Sequence, residues 1–318
     1  MHNSLVSRDG TGSLETFVRH WWLSRYAYVS AENVYKSFKN KWNSEEIEAN
    51  TFLDALTNDA ILYTKIASPV FEDFKQQEER ELYRSLSALK IFNVSQQKPF
   101  VLSLFKAKER GVIKLSELKE IASFIEKSHF FFNAVCSMRP SGIEGSYSKA
   151  ARQLSEAKDK PSTKKIVDDL KQQLITRLPE KDIFIDKFST LKFLKGYTKD
   201  KKLIQYIFSY IEFFKQPTRE FQPDSITLEH ILSQSEGNRD YIGNIGNLLP
   251  LGQELNEEAG NKKPIDKMEI YKKSQFSITQ EFARTEFKDW GEEEIQARTS
   301  ELAEYCYDDA FKIIIAKL

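Results

Sequence analysis

The sequence predicts a mainly α-helical protein, a helical bundle followed by a small strand–loop–strand–helix unit with further C-terminal helices. Three observations carry this. Only 12 glycines and 9 prolines occur in 318 residues, so helix breakers are scarce among many Lys, Glu, Leu and Phe. Long stretches repeat apolar residues at helical spacing. Five of the 12 glycines fall between Gly237 and Gly260, where the composition turns from helix-like to turn-like.

The helical elements read in order. Residues 30–38 start on a Ser cap and place Val34, Tyr35 and Phe38 on one face. Residues 44–62 put Glu46 and Ile47 in a first turn, with Phe52, Leu53, Leu56 and Ala60 behind. Residues 78–92 carry Leu82, Leu86 and Leu89, and residues 115–132 run through Leu118, Ile121, Phe124 and Ile125. Residues 163–178, 181–194 and 201–214 are further helices. Each supplies one apolar stripe to a bundle whose core takes most of the 23 Phe. Residues 139–142 end a long helix, and residues 158–162 form a polar, Pro-containing gap. The strongest boundary is 216–224, around Pro217 and Pro223, giving domains 1–220 and 221–318.

Charge and cysteine content narrow the classes. Lys and Arg number 47 against 47 Asp and Glu, and the pI is near 6.9, which excludes a protein that coats nucleic acid through bulk positive charge. A local basic groove stays compatible with that balance. The apolar run ending Ile313, Ile314 and Ile315 is too short to span a bilayer, and residues 1–13 lack the apolar core of a secretory signal. Two cysteines, Cys136 and Cys306, cannot build a disulfide scaffold or a cysteine zinc site and read as small buried hydrophobes. A reducing cytoplasmic location is expected.

The informative stretch is 225–274. Residues 226–231 alternate and favour a strand, residues 237–240 are a turn, and residues 242–249 are a second short strand or an extended passage. Residues 253–263 and 264–274 are helical, with Pro264 suited to a helix start. Such a unit can display a strand histidine opposite a helix asparagine. Phosphodiester hydrolysis needs an activated water and stabilisation of the leaving oxygen. A neutral His, with a pKa of about 6.5, accepts the water's proton near neutral pH. An oxygen-liganded divalent ion supplies the charge stabilisation.

Leu228-Glu229-His230-Ile231-Leu232-Ser233-Gln234 resembles the acid-His-Ile-x-Pro-Gln opening of HNH (His-Me finger) nucleases. Ile245-Gly246-Asn247-Leu248 resembles their second motif, and Leu255-Asn256 with Asn261 their third. The order and spacing are similar to the C-terminal nuclease domain of GmrSD-type restriction enzymes, bacterial anti-phage endonucleases of which several cut modified DNA. Upstream, residues 17–24, then Ile125-Glu126-Lys127 with Phe130, then Tyr147-Ser148-Lys149-Ala150 resemble the helical middle region of that family. Full-length members also carry a ParB-like, nucleotide-responsive domain marked by Asp-Gly-Gln-Gln-Arg. This chain has neither that motif nor a P-loop, so the expectation is either a separate sensing domain or subunit as partner or a chain that is a truncated form.

The resemblance implies roles. His230 would be the general base, and Asn247 would orient it or the loop around it. Glu229 and Asn256 would hold Mg²⁺ or Mn²⁺. Lys267 would face the phosphate or shore up its helix, and Lys262 and Lys263 would line a DNA backbone. Five lysines (262, 263, 267, 272, 273) against Asp266 and Glu269 could carry such a path, although charge alone favours an ordinary solvated helix face. Residues 284–304, with seven acids and three bases, are expected to pack back as a solvent-facing helix. Tyr271, Phe276 and Trp290 read as core. His2, His20 and His129 read as structural or incidental. Two departures stand out: Ser233 replaces the usual Pro, and the segment between His230 and Asn247 lacks a Trp often seen there. The expected activity is metal-dependent DNA hydrolysis. The alternatives are a nonenzymatic recognition or adaptor subunit with a relic nuclease fold, and RNA as substrate.

Overall fold

The computed structural model describes residues 14–139, 142–215, 226–237 and 239–313. It is mainly helical and divides into two compact units, one of residues 1–133 and 137–178, the other of residues 134–136 and 179–318. The division falls at 178/179, ahead of the passage 216–224 expected to separate domains, which lies outside the described residues. Among the described residues no helix is long and apolar enough to cross a membrane.

The N-terminal unit holds α1 (Leu14–Arg25), α2 (Val34–Asn43), α3 (Ala49–Ala67), α4 (Arg80–Ile91), α5 (Lys98–Glu109), α6 (Leu115–His129), α7 (Ile143–Glu156) and α8 (Lys160–Ile175). Several ends differ from the sequence reading for reasons of capping. The second predicted helix starts at Ala49 rather than Ser44, because the Glu48 carboxylate accepts the Asn50 and Thr51 N–H groups. In α8 the helix takes in most of the expected gap: Asp159 caps Ser162 N, and Pro161 lies in the first turn, where its missing N–H costs nothing. Ser30 makes no side-chain cap, and Tyr35, expected on the core face, is 72% exposed. After α6 the chain continues as a π-helical turn, Phe130–Val135, which buries Phe130, Phe131 and Phe132.

The central helix is α5, which periodicity did not reveal. Phe100, Val101, Leu102, Leu104 and Ala107 are all buried, so residues 99–105 are buried all round and carry no stripe, and most of the helix's charges gather at its C-terminal end. It packs against α1, α3 and α7. Burying each such large side chain contributes about 1.5–3 kcal/mol. The upstream segments likened to the GmrSD middle region meet here: Ser148 Oγ on α7 donates to Leu23 O on α1 at 3.0 Å, and Arg19 grips Glu144 with two bonds of 2.7 and 2.8 Å. His20 pairs with the Tyr63 hydroxyl at 2.6 Å, and His129 with Asn133 and with the Tyr147 hydroxyl. Burial pushes the two imidazoles down to about 3 and about 4, so both are neutral structural groups.

The C-terminal unit holds α9 (Lys181–Phe188), α10 (Lys201–Lys215), β1 (Thr227–His230), β2 (Leu248–Leu251), α11 (Gln253–Ala259), α12 (Pro264–Tyr271), α13 (Ser277–Phe282) and α14 (Glu292–Tyr305). The strands pair antiparallel, with Thr227 opposite Leu251 and His230 opposite Leu248. The second strand is shorter and later than the passage 242–249. Asp240–Gly243 and Ile245–Asn247 are tight 3₁₀ turns, which glycines 243 and 246 allow, and only Leu248 onward is extended. Ile231, Leu249, Leu251, Met268, Tyr271 and Phe282 form the core beneath the hairpin. α10 is tied in by Glu212, fully buried, whose carboxylate accepts Ser277 N at 2.8 Å and Ile278 N at 3.3 Å at the start of α13. The last predicted helix begins only at Glu292. Its Ile295, Thr299 and Leu302 are buried, so it is part of the scaffold as well as an acidic outer face. Cys136 and Cys306 are free and buried, as expected.

Candidate active site

His230 ends β1 and is 8% exposed. Its Nε2 lies 2.8 Å from the carbonyl oxygen of Phe193, which can only accept, so Nε2 carries the proton. Its Nδ1 is therefore the basic nitrogen, and its one contact is the Gln234 amide at 3.3 Å. The Phe193 ring stands 5.5 Å from the imidazole, and burial, the largest influence, lowers the His230 pKa below the ordinary histidine value. The carbonyl of Phe193 pulls the other way, and Lys267 adds to the lowering. A neutral imidazole with one nitrogen anchored and the other facing an exposed side chain is a base ready to take a proton.

Asn247 is fully buried and holds the loop that follows the histidine. Its Oδ1 accepts Leu232 N at 2.8 Å and Trp290 Nε1 at 3.1 Å, and its Nδ2 donates to Leu232 O at 2.9 Å and Ile242 O at 2.7 Å. Ile231 N returns a bond to Asn247 O at 2.9 Å. The side chain does not touch the imidazole, so Asn247 is a positioning residue. Trp290 supplies from α14's approach the indole that the His230–Asn247 segment lacks. Ser233, standing where Pro was expected, fixes the same turn through its hydroxyl, which donates to Asn261 Oδ1 at 2.8 Å. Asn247→Ala would orphan buried donors and acceptors at about 1–3 kcal/mol each, less than additively. We expect a loss of about 3 kcal/mol in urea unfolding. Asn247→Asp should lose nearly as much, because a carboxylate cannot donate to Leu232 O and Ile242 O.

Glu229 and His230 part company, as neighbours on a strand do. The Glu229 carboxylate, 4% exposed, takes Lys267 Nζ at 2.7 Å and the Tyr271 hydroxyl at 3.0 Å, both from α12. Burial pushes this carboxyl above the usual range, against the pull of Lys267 and Tyr271. Lys267 also donates to His230 O at 2.7 Å and Ile231 O at 3.2 Å. Two expectations are thereby corrected. Lys267, wholly buried, is no DNA contact, since its ammonium is spent inside the unit, and it shores up the hairpin instead. Glu229 is no free acidic ligand, since its charge is matched by a lysine. Asn256 donates to Thr227 Oγ1 at 2.7 Å, beside the Glu229 face of β1. Glu229 and Asn256 thus do not assemble a divalent-metal site with His230. Among the described residues no group of three or more His, Cys, Asp or Glu is placed to hold an ion.

Lys262 and Lys263 are exposed ahead of α12, with Lys262 Nζ bonded to Glu258 O. Farther along, Lys272 pairs with Glu269 and Lys273 with Glu258. Gln234 closes the first motif, whereas Phe193, Trp290 and Arg298 are site residues that motif spacing did not single out. Arg298 donates to Leu248 O at 2.9 Å and to Gly246 O, and burial pushes its guanidinium down to about 10, still charged at neutral pH.

Residues 178–305 match the family model described as GmrSD restriction endonucleases, C-terminal domain. This unit is similar to the GmrSD C-terminal domain. The matched GmrSD segment begins where the C-terminal compact unit begins, and it contains His230, Asn247, Lys267, Trp290 and Arg298. No curated protein matches the chain. The matched family is described by its restriction endonucleases, which suggests a nuclease role for the unit.

Proposed function

We propose that the C-terminal unit is an HNH-type endonuclease that hydrolyses DNA phosphodiesters in restriction of foreign DNA, with His230 as general base. The observation that carries this is the tautomer: Phe193 O holds Nε2–H and leaves Nδ1 unprotonated behind the exposed Gln234. Gln234 can yield its long 3.3 Å bond to a water, which Nδ1 then deprotonates for attack on phosphorus. The order β1, turns, β2, α11 supports the ββα reading, and Asn247 and Ser233 keep the histidine's loop in one geometry. The divalent ion that the family resemblance implies does not fit the Glu229–Asn256 pair, whose side chains are engaged by Lys267 and Thr227. The helical N-terminal unit is proposed to dock substrate or a sensing partner.

Purified protein with Mg²⁺ or Mn²⁺ supplied should nick or cut plasmid DNA, and His230→Ala should lower the rate by about 10²–10⁴-fold while keeping its far-UV spectrum. The lowered His230 pKa sets the pH profile. The base is active when deprotonated, so the rate should rise with pH through a midpoint below about 6.5 and be flat above neutrality. Undiminished cutting by His230→Ala refutes the assignment. Capture of Glu229 by Lys267 favours one second reading, a nonenzymatic adaptor with a relic nuclease fold, for which the wild type would cut neither DNA nor RNA in parallel digests.

A further inference from the structure

We propose that the strap from Lys192 to Lys202 is the surface that seats the nucleic-acid backbone against His230. The proposal rests on the nuclease reading for its purpose, and on the following geometry for its place. The strap is bolted to the histidine from two sides. Phe193 O takes His230 Nε2–H, and Lys195 N donates at 2.9 Å to Gln234 Oε1, whose amide meets His230 Nδ1. The first solvent-facing lysine is thus one side chain away from the basic nitrogen.

The strap is also rigid. Leu194 and Tyr197 exchange two backbone bonds of 3.0 and 2.9 Å, closing a turn with Lys195 and Gly196 at its tip. Phe193 N donates to Gly243 O at 2.8 Å, and Ile245 N to Leu191 O at 3.1 Å, joining strap to site loop through main chain. The packing is tight: a Cβ on Gly243 would lie 2.7 Å from Leu194 Cγ. At the tip the opposite holds, since a Cβ on Gly196 would meet nothing within 4 Å, so a polymer can approach.

Its charge is available. Five lysines (192, 195, 199, 201, 202) stand against Asp200 alone. Lys192 and Lys201 lie over the Tyr197 and Phe193 rings, at 5.1 and 5.2 Å, and stiffen the strap. Lys195, Lys199 and Lys202 are exposed, and among the described residues none of the three is in an ion pair. The α12 region differs, with Lys267 buried and Lys272 and Lys273 paired to acids. Uncompensated lysines on a rigid strap beside a phosphodiester-directed base fit phosphate oxygens, contacts that position a strand without reading its sequence.

The test is binding of a fluorescent DNA duplex to the full chain, without divalent metal, across a salt series. Wild type should bind with a steep salt dependence. The triple variant Lys195→Gln, Lys199→Gln, Lys202→Gln should bind at least about 10-fold more weakly, with the slope of log K against log salt reduced by about 2–3. Lys262→Gln with Lys263→Gln should change the slope less. Wild-type-like binding by the triple variant, or no binding by the wild type, overturns the strap. The two readings fail separately: His230-dependent cutting with an indifferent strap removes only the strap. A strap-dependent affinity without His230-dependent cutting removes only the nuclease assignment.

Discussion

Lys267→Ala should cost the C-terminal unit about 3–5 kcal/mol, because it leaves the Glu229 carboxylate buried without its cation. Three acceptors lose their donor at once: Glu229 Oε1, His230 O and Ile231 O, all now within 3.2 Å of Nζ. Denaturant unfolding should show the midpoint falling with little change in slope. The pair need not itself be stabilising, since two desolvated charges repay little of their dehydration. Replacing both partners, Glu229→Gln with Lys267→Met, should therefore recover a substantial part of the loss, although the two carbonyls stay unserved. A Lys267→Ala protein as stable as the wild type would mean that solvent reaches Glu229, contrary to its 4% exposure.

Gly246→Ala should cost about 3 kcal/mol or more. The residue has ordinary backbone angles, so the reason is space. A Cβ there would stand 2.2 Å from both Ile295 O and Thr299 Oγ1, and 2.8 Å from Thr299 N. α14 would have to back away from the turn Ile245–Asn247, breaking the Arg298 bonds to Gly246 O and Leu248 O and pulling Trp290 from Asn247. Adding Thr299→Ala removes the hydroxyl but not the Ile295 carbonyl, so the double variant should remain destabilised. Full rescue by Thr299→Ala would show that the side chain, not the helix backbone, sets the limit.

These two positions show how the site was legible and where it was not. Glu229, His230, Asn247 and Lys267 stand out as a pattern, because chemistry-bearing residues recur at fixed spacing. What the pattern could not assign is the direction of each side chain. A strand sends neighbours apart, so Glu229 turned to α12 while His230 turned to Phe193. Phe193 acts through its carbonyl, an atom every residue has, and no residue type signals that. Trp290 becomes a site residue only through a contact that spans the folded unit, its bond to Asn247. In the N-terminal unit, stripes revealed α4 and α6, whose faces are half wet. They missed α5, buried at every position from Pro99 to Phe105, because a run without wet positions has no period to detect. Helix starts moved where an acidic side chain, Glu48 or Asp159, captured backbone N–H groups that a polarity pattern does not weigh.

The dependence of the histidine's loop on Trp290 and Arg298 has a temporal consequence. A ribosome delivers Glu229 and His230 about sixty residues before it delivers the indole and guanidinium that hold the loop between them and β2. Until α14 has emerged and docked, Asn247 lacks one of its bonds and Gly246 faces solvent where a helix should be. Vectorial synthesis therefore gives the growing chain an unfinished histidine loop until α14 has been made.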